Sequence, residues 1–315
     1  MTISIYLTHP EVPCWNFSQD NLNQLKDALP KENIFLCKDE QDFLNILPKT
    51  HIALIWTFKQ EWLTQAGSLQ WIVTPAAGKD YFDIKPAFKL TIDYCSFHGE
   101  IMGETVLAMI LAHTRGIRDV VVLQKDNPWP RAKIWKNMKP FRGSSLVILG
   151  FGNIGLWIGR LAKPFGVRIT GIKQKLIDPP DYFDSHDRII CVEELDSVLP
   201  EIDHLVLALP GGNKTTDIIN MHRLNLMPVH SVIYNVGRGN AICETDLINA
   251  LRNGSIAAAY LDVVKDEPLS ELSPLRKCPN CLIMPHASAI SPNYLDLFVK
   301  EFINKFNKRY YKPDK

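Results

Sequence analysis

The chain has 315 residues, 46% of them apolar and 22% charged, which is long enough for two packed domains and unlike a disordered or low-complexity protein. Its 35 basic and 34 acidic residues leave a net charge of +1, arguing against a broad nucleic-acid or membrane-surface footprint. The opening MTISIYLTHP lacks the basic and long apolar stretches of a secretion signal, and seven scattered cysteines read as free thiols in a reducing compartment, so a cytoplasmic protein is expected.

The first hundred residues alternate strand-like and helix-like segments. Ile3 to Leu7 predicts a strand, and Ser18 caps a helix with Leu22, Leu25 and Leu29 on one face. Further strands are predicted at Ile34–Cys37, Ile52–Trp56 and Trp71–Thr74, with short helices between them, which implies a small, mostly parallel α/β domain without a phosphate fingerprint. Gly99 to Ile117 reads as one long helix connecting to a second domain, followed by a loop over 124–143 that carries Trp129 and Trp135. The most apolar part of this helix is too short to span a bilayer and contains Glu104 and His113.

Residues 144–175, SSLVILGFGNIGLWIGRLAKPFGVRITGIKQK, organise the rest of the chain. Ser145–Leu149 predicts a buried strand, and Gly150, Gly152 and Gly155 follow it in the order G-x-G-x-x-G. A helix then carries Ile154, Trp157, Ile158, Leu161 and Ala162 at helical spacing, until Pro164 and Gly166 stop it before the next strand at Val167–Ile172. In this context the first glycine allows a tight turn, the second lets backbone approach a pyrophosphate, and the third lets helix and strand pack closely. The helix N-terminus, from Asn153 and Ile154 onward, supplies N–H groups and positive dipole to the anion. A dinucleotide site is therefore expected. An acidic ribose ligand is usual after the second strand, but Lys173, Gln174 and Lys175 stand there. Lysine cannot accept from a ribose diol and attracts a 2′-phosphate, so NADP(H) is expected over NAD(H), with Asp178 as the residue that would serve the alternative.

Strands are expected again at Arg188–Val192, His204–Leu209, Ser231–Val236, Ile256–Val263 and Cys281–Met284. A closing helix over Pro292–Tyr310, with Leu295, Phe298, Val299, Phe302, Ile303 and Phe306 on one face, is expected to return to the first domain. Ligands of open α/β sheets bind outside the carboxyl ends of the strands. There the sequence offers PGGNKTT after the strand at 204, Gly237-Arg238-Gly239 after the strand at 231, Glu267 after the strand holding Asp262, and His286 after the last strand. Arginine can grip a carboxylate with two parallel bonds, and a histidine paired with a carboxylate can give a proton to a carbonyl oxygen, so these three groups suit reduction of a 2-oxo acid. Cys278 and Cys281 have CxxC spacing but no second pair or histidine beside them, so no metal site is expected. His51, His204 and His222 are read as structural or exposed.

Five segments carry a resemblance that covers most of the second domain: LVILGFGNIG, LALPGGNKTTDIIN, YNVGRGNAICETDLINAL, AAYLDVVKDEPL and MPHAS. In that order they resemble the D-2-hydroxyacid dehydrogenase family, which includes glyoxylate/hydroxypyruvate reductases and phosphoglycerate dehydrogenases. The resemblance implies a Rossmann-type cofactor domain over 99–286 and a second, flavodoxin-like α/β domain built from both chain ends, 1–98 and 287–315. It implies that Arg238 binds the substrate carboxylate, that Glu267 pairs with His286, and that His286 is the acid/base. Asp262 is implied to hold the nicotinamide carboxamide, and Leu209, Pro210, Thr215, Val236 and Gly237 to contact cofactor. TPAAGKD resembles the loop whose amides, around Ala77 and Gly78, receive the substrate carboxylate. A homodimer through the cofactor domain is also implied. The expected activity is reduction of a small 2-oxo acid to the D-2-hydroxy acid. The rival readings are a phosphoglycerate dehydrogenase and a cofactor-sensing interaction protein on the same fold. Departures from the family pattern leave open Lys79 beside the carboxylate loop, and His98, Met102 and Glu104 as pocket residues at the domain crossover.

Overall fold

The computed structural model describes residues 1–78, 82–135 and 138–311. In chain order the strands and helices begin with β1 (Thr2–Tyr6), α1 (Gln19–Ala28), β2 (Asn33–Leu36), α2 (Glu40–Ile46), β3 (Ile52–Ile55), β4 (Trp71–Thr74) and β5 (Thr91–Tyr94). They continue with α3 (His98–Thr114), α4 (Ile117–Leu123), α5 (Arg131–Ile134), β6 (Ser145–Leu149), α6 (Asn153–Ala162), β7 (Arg168–Lys173), β8 (Arg188–Cys191), α7 (Leu195–Val198) and β9 (His204–Leu207). The last are α8 (Met221–Leu226), β10 (Val232–Asn235), α9 (Glu244–Asn253), β11 (Ala258–Leu261), β12 (Cys281–Ile283) and α10 (Tyr294–Tyr310). The chain divides into two compact units, Met1–His98 with Ile290–Lys315, and Gly99–Ala289.

In the first unit the strands form one parallel sheet in the order β2-β1-β3-β4-β5, the flavodoxin-like arrangement. Its central strands read IALI and WIVT and are buried throughout, as expected for parallel strands covered on both faces. Ser18 caps α1 through a reciprocal pair, its hydroxyl accepting from the Asn21 amide while the Asn21 side chain accepts from the Ser18 amide, each at 3.1 Å. The closing helix α10 belongs to this unit. It buries Leu295, Phe298, Val299, Phe302 and Phe306, with the Phe302 ring 5.6 Å from that of Trp71 on β4. Ile303, expected on that face, is half-buried.

The second unit holds a seven-stranded parallel sheet in the order β12-β11-β10-β9-β6-β7-β8. Strand order reverses between β6 and β9, which makes the crevice outside their carboxyl ends a topological switch point, where open α/β sheets bind ligands. One apolar layer contains Val147, Leu205, Ile233 and Leu247, and the other contains Met102, Ile148, Ile158 and Tyr260.

Three expectations change. The long helix ends at Thr114, because Gly116 turns the backbone left-handed at φ 63°, and a separate α4 begins at Ile117. β5 went unread, being a half-buried edge strand, TIDY, with no buried face to give it a period. The 124–143 loop contains the single turn α5, and its tryptophans are strongly exposed, 79% at Trp129 and 64% at Trp135. Among the described residues no helix is long and apolar enough to cross a membrane, and none of the seven cysteines is in a disulfide.

Candidate active site

The turn from β6 into α6 supplies the clearest local chemistry. Gly150 has φ 99°, and a Cβ there would lie 2.5 Å from the carbonyl oxygen of Ala208, so both torsion and contact require glycine. A Cβ on Gly155 would lie 2.5 Å from the Gly150 carbonyl oxygen, which is the close helix–strand approach expected of the third glycine. Gly152 differs: nothing lies within 4 Å of its Cβ position, and it immediately precedes α6, whose first turn contains Asn153 and Ile154. Open space at a helix N-terminus is a cradle for an anionic group, so this turn fits a dinucleotide pyrophosphate.

Lys173 is the last residue of β7 and is half-buried, while Gln174 and Lys175 follow it exposed. The loop behind them is pinned from below. Lys163 bridges Asp184 at 2.7 Å and the fully buried Asp187 carboxylate at 2.6 Å, and Asp187 also accepts from the Ile169 amide at 2.8 Å. Hydrogen bonds to these two carboxylates raise the Lys163 pKa against the opposing effect of burial. Asp178, the alternative ribose ligand, is exposed and lies beyond the strand end.

The loops after β9 and β10 meet. A Cβ on Gly237 would lie 2.5 Å from the Leu209 carbonyl oxygen, so backbone packs on backbone there. Leu209 is half-buried and Pro210 exposed. The Thr215 hydroxyl lies 2.8 Å from the Pro210 carbonyl and 2.9 Å from that of Gly212, so it shapes this turn. Val236 is only 2% exposed and belongs to the apolar core, which makes it a support beneath the turn rather than a wall of the cleft.

Arg238 follows β10 on a tight turn. The buried Asn235 side chain makes it: its carbonyl accepts from the Gly237 amide at 3.1 Å, and its amide donates to the Arg238 carbonyl at 3.0 Å. An asparagine at a strand end, two residues before glycine, is the available sequence signal. The half-buried Arg238 also donates to the Gly237 carbonyl at 2.9 Å. Next to it, a Cβ on Gly239 would lie 1.9 Å from the Val264 backbone carbon, so the arginine turn packs directly on the loop that follows β11.

That loop carries Glu267. One carboxylate oxygen accepts from the Val264 amide at 3.1 Å, and the other lies 2.7 Å from Nδ1 of His286. The histidine and the glutamate are 41% and 36% exposed, so the pair stands at the surface of this unit with the imidazole Nε2 edge away from Glu267. A carboxylate on Nδ1 holds the ring with its proton there. His286 itself has φ 52°, a left-handed conformation uncommon for a residue with a side chain. The Asp262 carboxylate, expected at the nicotinamide, is 1% exposed, and its bonds run to the amides of Ala287 and Ser288.

Because β10, β11 and β12 are neighbours in the sheet, Arg238, Glu267 and His286 leave adjacent strand ends, and the glycine contacts tie their loops into one rim with the β6 turn. In the first unit, the Ala77 and Gly78 backbone follows β4, with Ala77 exposed and Gly78 half-buried; Lys79 lies outside the described residues. The crossover residues do not form one group. His98 is buried in the first unit with Nε2 2.8 Å from the Tyr294 hydroxyl, Met102 is in the core of the second, and Glu104 is exposed. Burial lowers the His98 pKa to about 4 and that of His204, 3.1 Å from the Tyr234 hydroxyl, to about 3. Two other histidines read as structural also have partners: the Thr2 amide donates to His51 Nδ1 at 3.2 Å, and His222 lies 3.6 Å from Asp196. Burial pushes the Cys281 thiol to about 12, far from a thiolate at neutral pH, and no cluster of three metal-ligating side chains occurs among the described residues.

Together the parallel sheet, the switch point and the glycine turn define a dinucleotide-binding α/β protein with a histidine–glutamate pair at its strand ends. The D-isomer specific 2-hydroxyacid dehydrogenase NAD-binding domain matches residues 107–288. A glyoxylate reductase of Aeropyrum pernix is 32% identical over 243 residues, covering 72% of this chain and 69% of that protein. A D-3-phosphoglycerate dehydrogenase of Methanocaldococcus jannaschii is 26% identical over 269 residues, covering 84% of this chain but 49% of that protein. A D-isomer specific 2-hydroxyacid dehydrogenase family protein from Aeromonas salmonicida superposes with a TM-score of 0.76 at 28% identity, covering 98% and 96% of the two chains. The chain belongs to the D-isomer specific 2-hydroxyacid dehydrogenase family, a family of nicotinamide-dependent oxidoreductases.

Proposed function

We propose that the chain reduces a small 2-oxo acid of the glyoxylate or hydroxypyruvate type to the D-2-hydroxy acid, with NADPH preferred over NADH. The observation that carries this reading is the His286–Glu267 pair at 2.7 Å on the same rim of strand ends as Arg238 and the Gly150–Gly155 turn. Arg238 receives the substrate carboxylate and polarises the neighbouring carbonyl. His286 gives the proton on Nε2 to the carbonyl oxygen, while Glu267 holds Nδ1–H and stabilises the ring before transfer. When bound, the reduced nicotinamide supplies the hydride that the carbonyl carbon accepts. Gly150, Gly152, Asn153, Ile154 and Gly155 would hold its pyrophosphate, and Lys173 and Lys175 a 2′-phosphate. His286→Asn should lower kcat by roughly 10²–10⁴-fold with cofactor affinity little changed, and a near-normal kcat would remove His286 from the mechanism.

The size of the acid's side chain is part of the proposal. The Aeropyrum relative, named a glyoxylate reductase, supports a small substrate, while the Methanocaldococcus relative keeps a phosphorylated 2-oxo acid as the competing reading. We propose a homodimer as well. Ile117, Val121 and Val122 on α4 are 53%, 53% and 55% exposed, and with Trp129 and Trp135 they make an apolar stretch of the second unit that a second copy would cover. Light scattering should give twice the chain mass for the wild type and a smaller particle for Val121→Lys/Val122→Lys. A monomeric wild type would end the dimer reading. A cytoplasmic location fits seven cysteines outside any disulfide.

A further inference from the structure

His286 sits on backbone that is unfavourable for it, and the structure shows what keeps it there. Its φ of 52° places a β-carbon-bearing residue in the left-handed region, where few such residues settle without external support. The support comes from one residue on the neighbouring strand end. The Asp262 carbonyl accepts from the His286 amide at 2.8 Å. The Asp262 carboxylate accepts from the Ala287 amide at 2.6 Å, and from the Ser288 amide through both oxygens at 3.1 Å. Asp262 is 1% exposed and Ser288 is 1% exposed, so these charge-assisted bonds are shielded from water. A second anchor lies on α3, where the Thr105 hydroxyl donates to the Ser288 carbonyl at 3.0 Å. Glu267 touches only the ring of His286 and fixes its rotation, whereas Asp262 fixes the backbone from which the ring projects.

We infer that Asp262 is a positioning residue for His286: its buried carboxylate clamps the 286–288 backbone and so sets where the imidazole stands for proton transfer, with Thr105 as an auxiliary clamp. The inference rests on the reading of His286 as the acid/base. It also separates two roles for one carboxylate, because a residue needed chiefly to hold cofactor and a residue needed chiefly to place the histidine fail differently when changed.

The test is Asp262→Asn in the full chain, which keeps size and one acceptor oxygen but opposes an NH₂ group to an amide that now meets a carboxylate. Expected are a ten- to hundredfold fall in kcat, a shifted pH profile of kcat, and an NADPH Kd within about threefold of wild type. A merely structural weakening would lower thermal stability without moving the pH profile. An NADPH Kd raised tenfold or more with kcat at saturation unchanged would overturn the inference and make Asp262 a cofactor ligand. Thr105→Val, which should fold normally, covers the case in which Asp262→Asn does not. It should lower kcat several-fold with KM and cofactor Kd unchanged, and an unchanged kcat would count against the clamp. A readout independent of turnover is the His286 ring signal in proton NMR, assigned by its loss in His286→Asn. Its position and titration should move in Asp262→Asn and Thr105→Val, and an unmoved signal in both overturns the inference even if the wild type reduces no 2-oxo acid.

Discussion

The two units of this chain are both built on parallel sheets with helices, yet among the described residues only the second carries the features of a dinucleotide site. The difference is the turn after the first strand. β1 leads into a segment with Pro10 and Pro13, and α1 does not begin until Gln19. β6 turns at once through Gly150 and Gly152, and α6 begins at Asn153 with open space before its first amides. The second sheet also sends an arginine, a glutamate and a histidine from adjacent strand ends, whereas His98 of the first unit is buried against the Tyr294 hydroxyl. A shared class of fold thus leaves the ligand undecided, and the turn chemistry decides it.

The comparison breaks most sharply at the turn itself. Gly150→Ala must place a methyl group 2.5 Å from a carbonyl oxygen at φ 99°, so it should destabilise the chain by roughly 2–5 kcal/mol and abolish cofactor binding, read by denaturant unfolding and cofactor titration. A variant that folds and binds normally would show that the turn does not need glycine there. At the strand ends of the same unit, Arg238→Ala should lower kcat/KM about a hundredfold, chiefly through KM, if the proposed substrate carboxylate loses a bidentate partner. An unchanged kcat/KM would take Arg238 out of substrate binding.

A smaller effect sharpens the cofactor reading. Lys173→Asp replaces a cation with a diol acceptor at the end of β7 and should reverse the NADPH/NADH preference, with roughly a tenfold loss for NADPH. The same preference in both proteins would dismiss Lys173 as the selector. Acid stability tests what the two units have in common. His98 in one and His204 in the other are held neutral by burial, with pKa values lowered to about 4 and about 3 from 6.5. The unfolded chain takes up those protons first, so the stability they contribute is complete above pH 6.5 and declines as pH falls toward the folded values. Each histidine can remove at most about 1.4 kcal/mol per pH unit in that window, and urea midpoints measured between pH 7 and pH 5 should fall accordingly. A flat profile would mean that neither ring is neutral for the reason given.

Features that follow from one segment were readable from that segment. The glycine order between a strand and a helix identified the cofactor turn, and the periodic burial of Phe298, Phe302 and Phe306 identified the closing helix. The positions of Arg238, Glu267 and His286 just past strand ends were readable because strand ends of open parallel sheets concentrate chemistry. Less legible were arrangements made by residues distant in sequence. The clamp from Asp262 and Thr105 onto 286–288 joins three separate elements, and the Asn235 turn depends on a side chain that looks like ordinary strand residue. β5 escaped because it is half-buried along its length, and the end of α3 escaped because apolar residues continue past Gly116 into α4.

The most direct measurement is the oxidation of NADPH, with NADH in parallel, against glyoxylate, hydroxypyruvate, pyruvate, phenylpyruvate and phosphorylated hydroxypyruvate. Turnover of glyoxylate or hydroxypyruvate, faster with NADPH and producing the D-hydroxy acid, is the predicted result. Clear cofactor binding with no turnover of any acid would contradict it and would favour a protein that senses its cofactor without reducing a substrate.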